Sequence, residues 1–186
     1  MGSESLHSRA LPGDVGLAAP SLARMLRVNH AGEYGAKRIY AGQIAVLKGQ
    51  PVAAELEHMA AQEQVHLDSF NRILPERGVR PSALLPLWHV AGYALGAITA
   101  LMGERAAMAC TVAIESVITE HYDSQLAQPE VTGPALGATI QQFRDEEMEH
   151  HDIGLQHDAE GAPFYYLLTG MVKTGCKAAI WLAGRF

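Results

Sequence analysis

The feature that leaves this chain least freedom is a set of carboxylates and imidazoles lying on helical stripes that otherwise carry hydrocarbon. In Phe143-Arg144-Asp145-Glu146-Glu147-Met148-Glu149-His150-His151-Asp152, the helical period puts Glu147 and His150 on the face that Ile140 and Phe143 occupy. A carboxylate and an imidazole turned into a core cost several kcal/mol each unless they find a partner. A metal ion is a partner that satisfies both.

The same anomaly recurs along the chain. A helix over 22–47 carries Leu22, Leu26, Asn29, Glu33, Ala36, Tyr40, Ile44 and Leu47 on one face, and Ser21 is placed to cap it. Gly49-Gln50-Pro51 breaks the chain, and a second helix over 52–74 aligns Leu56, Met59, Glu63, His66, Phe70 and Ile73. A helix over 82–102 follows, too apolar to show periodicity, with no Asp, Glu, Lys or Arg between 84 and 103 and His89 the only side chain there that titrates near neutral pH. A helix over 104–126 carries Met108, Val112, Glu115 and Tyr122. The stretch 128–137 reads as a loop, the helix after it is ended by Gly161-Ala162-Pro163, and a last apolar helix spans 164–183. No period-2 strand pattern is present, so the fold class is all-α.

At 186 residues the chain suffices for one domain, placed at 21–186, after a loose Ser, Gly and Pro-containing tail at 1–20. The tail has too little positive charge for an organelle presequence. The net charge of −6 argues against a nucleic-acid partner, which usually announces itself as a basic stripe. Cys110 and Cys176 sit unpaired in apolar stretches and read as free thiols in a reducing compartment.

Taken as spacings, Glu33 is followed thirty residues on by Glu63 and then His66, and Glu115 thirty-two residues on by Glu147 and then His150. Each half is a helix with one inward Glu and a helix with Glu-x-x-His. The fifty-two residues from 63 to 115 form a crossover long enough to join the halves across a bundle. Four inward carboxylates and two imidazoles are what a di-iron or di-manganese carboxylate bundle uses. With fourteen Glu and nine His, chance supplies fewer than one Glu-x-x-His, and the chain has four. Glu4 and His7 fall in the tail. Glu55 and His58 lie eight residues before Glu63 and His66, which turns them about 80° away around the helix.

From His30-Ala31-Gly32-Glu33-Tyr34-Gly35-Ala36 onward the sequence resembles the Coq7 family of demethoxyubiquinone hydroxylases. The resemblance runs through Arg38-Ile39-Tyr40-Ala41-Gly42-Gln43, Pro86-Leu87-Trp88, Ala107-Met108-Ala109-Cys110-Thr111-Val112-Ala113, and the Phe143 to Gly154 segment. It implies a ferritin-like four-helix bundle with two additional apolar helices, two Fe ions per subunit, and O2-dependent hydroxylation of C6 of demethoxyubiquinol in ubiquinone biosynthesis. The family's metal ligands fall on Glu33, Glu63, His66, Glu115, Glu147 and His150, the six that spacing selects. The resemblance also implies a peripheral membrane protein, here expected on the cytoplasmic face of a bacterial inner membrane, and a Coq9-type lipid-binding partner; an oligomer is compatible with it. The apolar helices 84–103 and 164–186 would meet the bilayer. Electrons would come from NADH or from the quinol; no Gly-x-Gly-x-x-Gly fingerprint is present. The competing reading is a ferritin-like ferroxidase or iron-handling protein without an organic substrate.

Around this core, Tyr122 stands seven residues after Glu115 on the same face and is the candidate catalytic residue beside the metals. Asp145 and Glu146 are candidate acceptors for the second ring nitrogens of the histidines. In many di-iron bundles Asp precedes the Glu of Glu-x-x-His; here Gln62 and Glu146 stand in those places. His30, His121, His151 and His157 lie off the ligand face. Gly32, Gly35 and Gly42 point to close helix approach or to room for a quinone ring beside Glu33.

Overall fold

Helices form where the apolar periodicity places them, and their ends are decided by Pro and Gly. A computed structural model describes residues 18–186; the expected tail, with Glu4 and His7, lies largely outside the described residues. The helices are α1 (Pro20–Leu47), α2 (Ala53–Glu76), α3 (Leu85–Leu101), α4 (Glu104–Leu126), α5 (Pro129–Gln156) and α6 (Tyr165–Ala183). No strand occurs among the described residues.

Three boundaries differ from expectation. Ser21 does not cap α1: the helix already begins at Pro20, which presets φ and lacks the N–H that a cap would satisfy. The stretch expected as a loop over 128–137 is helical from Pro129, with a break at Gly133, whose φ of 70° only glycine adopts readily. Pro134 then restarts the helix that carries Glu147, since proline is favoured in a first turn. At its other end α5 stops at Gln156 rather than near Gly161, because Asp158 turns left-handed and a 3-10 turn fills Ala159–Gly161.

Two apolar clusters bracket the middle of the bundle. One contains Leu22, Leu26, Phe70, Leu74, Ile140 and Phe143; the other contains Leu47, Leu56, Met59, Met108 and Val112. The buried residues of α1 and α5 start in the first cluster and end beside the second, whereas α2 and α4 run the opposite way. α1 is therefore antiparallel to both α2 and α4, and α3 is the crossover that carries the chain back between them. Glu33, Glu63, Glu115 and Glu147 each fall between the two clusters along their helices, at mid-bundle.

The remaining helices lie outside the four. α3 packs along α1 and α6 along α4. α3 is inverted relative to an ordinary core helix. Its buried residues are Gly92, Gly96, Thr99 and Ala100, while Leu87, Val90, Ile98 and Leu101 face outward. Gly96 lies against the carbonyl of Ile39, and Gly42 of α1 against the carbonyl of Tyr93, so closely that a Cβ on either glycine would overlap that oxygen. Gly42 thus serves close helix approach. Gly32 and Gly35 instead border open space. No described helix is long and apolar enough to cross a membrane.

Candidate metal centre

The ligand positions come from four helices whose stripes meet at mid-bundle. All six predicted residues converge there, each at most 1% exposed. Their donor atoms form two groups: Glu33, Glu63, His66 and Glu147 in one, Glu63, Glu115, Glu147 and His150 in the other, with the atoms of each group within 4.8 Å of one another. Glu63 and Glu147 belong to both. Glu33 and Glu115 belong to one each, a distinction that helix spacing alone leaves open.

The donors are otherwise unsatisfied. Both oxygens of Glu63 and of Glu147, Oε2 of Glu33 and Glu115, and Nδ1 of His66 and His150 are buried without a hydrogen-bond partner. Unpaired buried polar atoms at this density would be costly in a protein that had no use for them. Nδ1 of His66 lies 3.4 Å from Glu33 and 3.2 Å from Glu147; Nδ1 of His150 lies 3.3 Å from Glu63 and 3.2 Å from Glu147.

The other ring nitrogens are held across the bundle. Nε2 of His66 donates to Oε2 of Glu146 at 2.5 Å, and Nε2 of His150 donates to Oε1 of Gln62 at 2.9 Å. Glu146 therefore holds the position expected of it, and Gln62 the matching one. Asp145 does not. It is exposed and pairs with Arg144 and Gln141, because it lies one residue further around the helix than Glu146. Glu55 and His58 are exposed, as their rotation around α2 requires. His30 is buried against Asn71, His151 pairs with Asp152, and His157 pairs with Glu104; none joins the donor groups.

The hydroxyl of Tyr122 donates to Glu33, and the hydroxyl of Tyr40 donates to Glu115 at 2.6 Å. Only the first of these tyrosines is singled out by the sequence reading, although Tyr40 stands seven residues after Glu33 as Tyr122 does after Glu115. The pairing continues outward along α1 and α4. Asn29 and Gln125 exchange amide hydrogen bonds of 2.9 and 2.7 Å, and Gln43 donates to the carbonyl of Ala107 at 2.9 Å beside Thr111. Asn29 and Thr111 each lie four residues before their glutamate, and Gln43 and Gln125 ten after. The duplication is thus a two-fold-like set of polar contacts as well as of ligands.

Without metal, the charges oppose one another. Burial and the neighbouring Glu147 raise Glu63 and Glu115 well above the ordinary carboxyl range. Burial disfavours charge on His66, yet the carboxyl groups of Glu147 and Glu33 beside its Nδ1 override it and hold the imidazole up at about 12. Burial likewise works against an ionised Glu147, but His150 and His66 bring it down to about 2. Burial and the nearby carboxylates keep Tyr40 and Tyr122 as neutral phenols, well above 10. Both therefore act as donors.

One side of the centre opens onto a cavity of about 710 Å³ between α1, α3, α4 and α6. Glu33 and Tyr122 border it; Glu115 and Tyr40 do not. Its walls are almost wholly apolar, including Ile39, Leu95, Ile114 and Ile118, and it extends to Phe164, Leu167 and Met171 of the exposed apolar face. Nε1 of Trp88 and Nε2 of His121, from two residues of the cavity wall, are buried without partners.

Residues 20–183 match the family described as "Ubiquinone biosynthesis protein COQ7". A Mus musculus protein named "NADPH-dependent 3-demethoxyubiquinone 3-hydroxylase, mitochondrial" is 53% identical over 167 residues, 88% of this chain and 77% of the relative. A Rhodospirillum rubrum protein named "3-demethoxyubiquinol 3-hydroxylase" is 52% identical over 176 residues, 94% of this chain and 82% of the relative. A Saccharomyces cerevisiae protein named "5-demethoxyubiquinone hydroxylase, mitochondrial" is 43% identical over 184 residues, covering 90% and 79%. The family match takes in every helix of the bundle and all six converging donors, and the chain belongs to the COQ7 family of ubiquinone-biosynthesis proteins.

Proposed function

We propose that this chain hydroxylates a demethoxyubiquinol with O2, at the one ring carbon that still carries hydrogen, using two iron ions held by Glu33, Glu63, His66, Glu115, Glu147 and His150. The observation that carries this reading is the meeting of the buried donor groups with a long apolar cavity at Glu33 and Tyr122. A ferroxidase needs a polar path for hydrated ions, and this cavity suits an isoprenoid chain instead.

The residues fit the metals: eight buried oxygen and nitrogen atoms lack hydrogen-bond partners, and carboxylate with imidazole is a donor set that suits iron and manganese. Bound ferrous ions would supply the electrons that O2 activation requires. The protein's own groups do the positioning. Gln62 and Glu146 fix the two imidazoles with Nδ1 turned inward. Tyr122 holds Glu33 at the cavity edge by a phenolic donor that stays protonated. Trp88 and His121 offer buried polar atoms to the quinol oxygens, and the apolar walls exclude water around the reacting ring.

The exposed apolar faces of α3 and α6 support a peripheral position on a membrane, for which we propose the cytoplasmic face of a bacterial inner membrane. Leu101 is 75% exposed and Trp181 56%, far more apolar surface than a helix facing water usually shows. The name of the Mus musculus relative favours NADPH, or the related NADH, as the source of electrons. The test is turnover by ferrous-reconstituted protein with O2, a short-chain demethoxyquinol and NADH or NADPH, with the product identified by mass. A product heavier by one oxygen atom drawn from isotopically labelled O2 is expected; oxygen uptake that leaves the quinol unhydroxylated would overturn the reading.

A further inference from the structure

The two halves of the centre agree in their ligands and in their supporting tyrosines, yet they differ in what holds each imidazole. Gln62 precedes Glu63 and supports His150; Glu146 precedes Glu147 and supports His66. Each half therefore lends its supporting residue to the histidine of the other half. In one case the acceptor is a carboxylate at 2.5 Å, and in the other a neutral amide oxygen at 2.9 Å. The carboxylate is held in place by Nε2 of Gln142, which donates to its other oxygen at 2.9 Å.

The chemistry of that difference has a direction. A carboxylate accepting the Nε2 proton makes a shorter and stronger bond than an amide does, and it pushes electron density toward Nδ1. Nδ1 of His66 is then the better donor. The remaining ligands do not offset this, because each group has three carboxylates and one imidazole, two of the carboxylates are shared, and Glu33 and Glu115 each accept one tyrosine hydroxyl.

We propose that Glu146 makes the two metal positions unequal, so that the position built by Glu33, Glu63, His66 and Glu147 binds a divalent metal more tightly than, and fills before, the one built by Glu63, Glu115, Glu147 and His150. This rests on the two-metal reading above. Glu33 borders the cavity and Glu115 does not, so the tighter position is the one on the substrate side. Glu146 is a positioning residue here; it touches neither cavity nor ligand oxygens.

The test is anaerobic titration of the metal-free full chain with cobalt(II), followed by calorimetry and by visible absorption. Two resolved steps are expected for the parent protein. Glu33→Ala should abolish the tighter step and Glu115→Ala the weaker one. Glu146→Gln should weaken the first step by about ten- to a hundredfold, the range typical of such supporting residues, and bring it close to the second. Gln62→Glu should tighten the second step, and it carries the test independently if Glu146→Gln does not fold, as judged by circular dichroism. Two equal sites in the parent, or two steps that neither Glu146→Gln nor Gln62→Glu moves, would overturn the inference while leaving the two-metal reading intact. Failure of the parent to bind any metal would instead overturn that reading.

Discussion

Tyr40 donates a 2.6 Å hydrogen bond to Glu115 from the helix that carries Glu33, and Tyr122 donates to Glu33 from the helix that carries Glu115. The two contacts tie antiparallel α1 and α4 together across the centre. They also separate two roles that look alike. Tyr122 borders the cavity, whereas Tyr40 is enclosed between Met59 and the edge of His150.

Replacing either tyrosine by Phe removes one donor from a buried carboxylate. Each variant should lose about 1–3 kcal/mol of stability, the usual cost of leaving a buried polar group without its hydrogen-bond partner. Urea denaturation of the metal-free proteins measures this. Tyr122→Phe should in addition lower turnover of a demethoxyquinol more than Tyr40→Phe, since only Tyr122 meets the substrate space. Equal kinetic losses in the two variants would contradict that distinction.

The sharing of Glu63 and Glu147 predicts a stoichiometric pattern. Glu147→Ala should retain little or no iron, because both positions lose a ligand, whereas Glu33→Ala should retain about one iron per subunit, since one of the two donor groups stays whole. Iron analysis after anaerobic reconstitution decides it. Full iron in both variants would refute the ligand assignment.

Stability of the metal-free protein should fall as pH rises. Glu63, Glu115 and His66 all have folded-state values above their unfolded ones, so the folded chain binds more protons than the unfolded chain. Their stabilisation is complete below the unfolded values. It is lost upward from the carboxyl range for the two glutamates, and from above about 6.5 toward about 12 for His66. Each group changes stability by at most about 1.4 kcal/mol per pH unit. Glu147 acts in the opposite sense, its contribution fading only as pH falls toward about 2. Metal competes with these protons, so the stabilisation conferred by iron should grow with pH. Thermal melts of the metal-free and loaded protein from pH 5 to 8 test both slopes.

Gly96→Ala should displace α3, because its Cβ would overlap the carbonyl of Ile39, a backbone atom that cannot rotate away. The expected cost is about 1–3 kcal/mol, as for other overpacked contacts. Gly32→Ala, which meets open space, should be tolerated in the melt. Similar melting temperatures for the two variants would argue against the close α1–α3 approach.

Binding to vesicles should depend on the outward apolar faces. Replacing Leu101 and Trp181 together by Glu places two charges on surfaces that are already exposed, so the fold should persist. Cosedimentation with phospholipid vesicles should drop severalfold. Unchanged cosedimentation would remove α3 and α6 from the proposed membrane face.

By itself the sequence determined the all-α class, the helices and the six converging residues, because a helical period of 3.6 turns residue spacing into a face, and a carboxylate on an apolar face is visible without coordinates. It also excluded Glu55 and His58 on the same rotational ground. The start of α5 was less legible, since Pro129 and Pro134 read as loop residues and yet each suits the first turn of a helix. What only the tertiary structure decided are the relations between helices far apart in the chain. Tyr40 with Glu115, Gln62 with His150, Glu146 rather than Asp145 with His66, and the sharing of Glu63 and Glu147 all depend on the axial register of antiparallel helices. Spacing within one helix carries no information about that register. The cavity and the inverted face of α3 belong to the same class, because Gly42 and Gly96 reveal their purpose only once the two backbones are seen in contact.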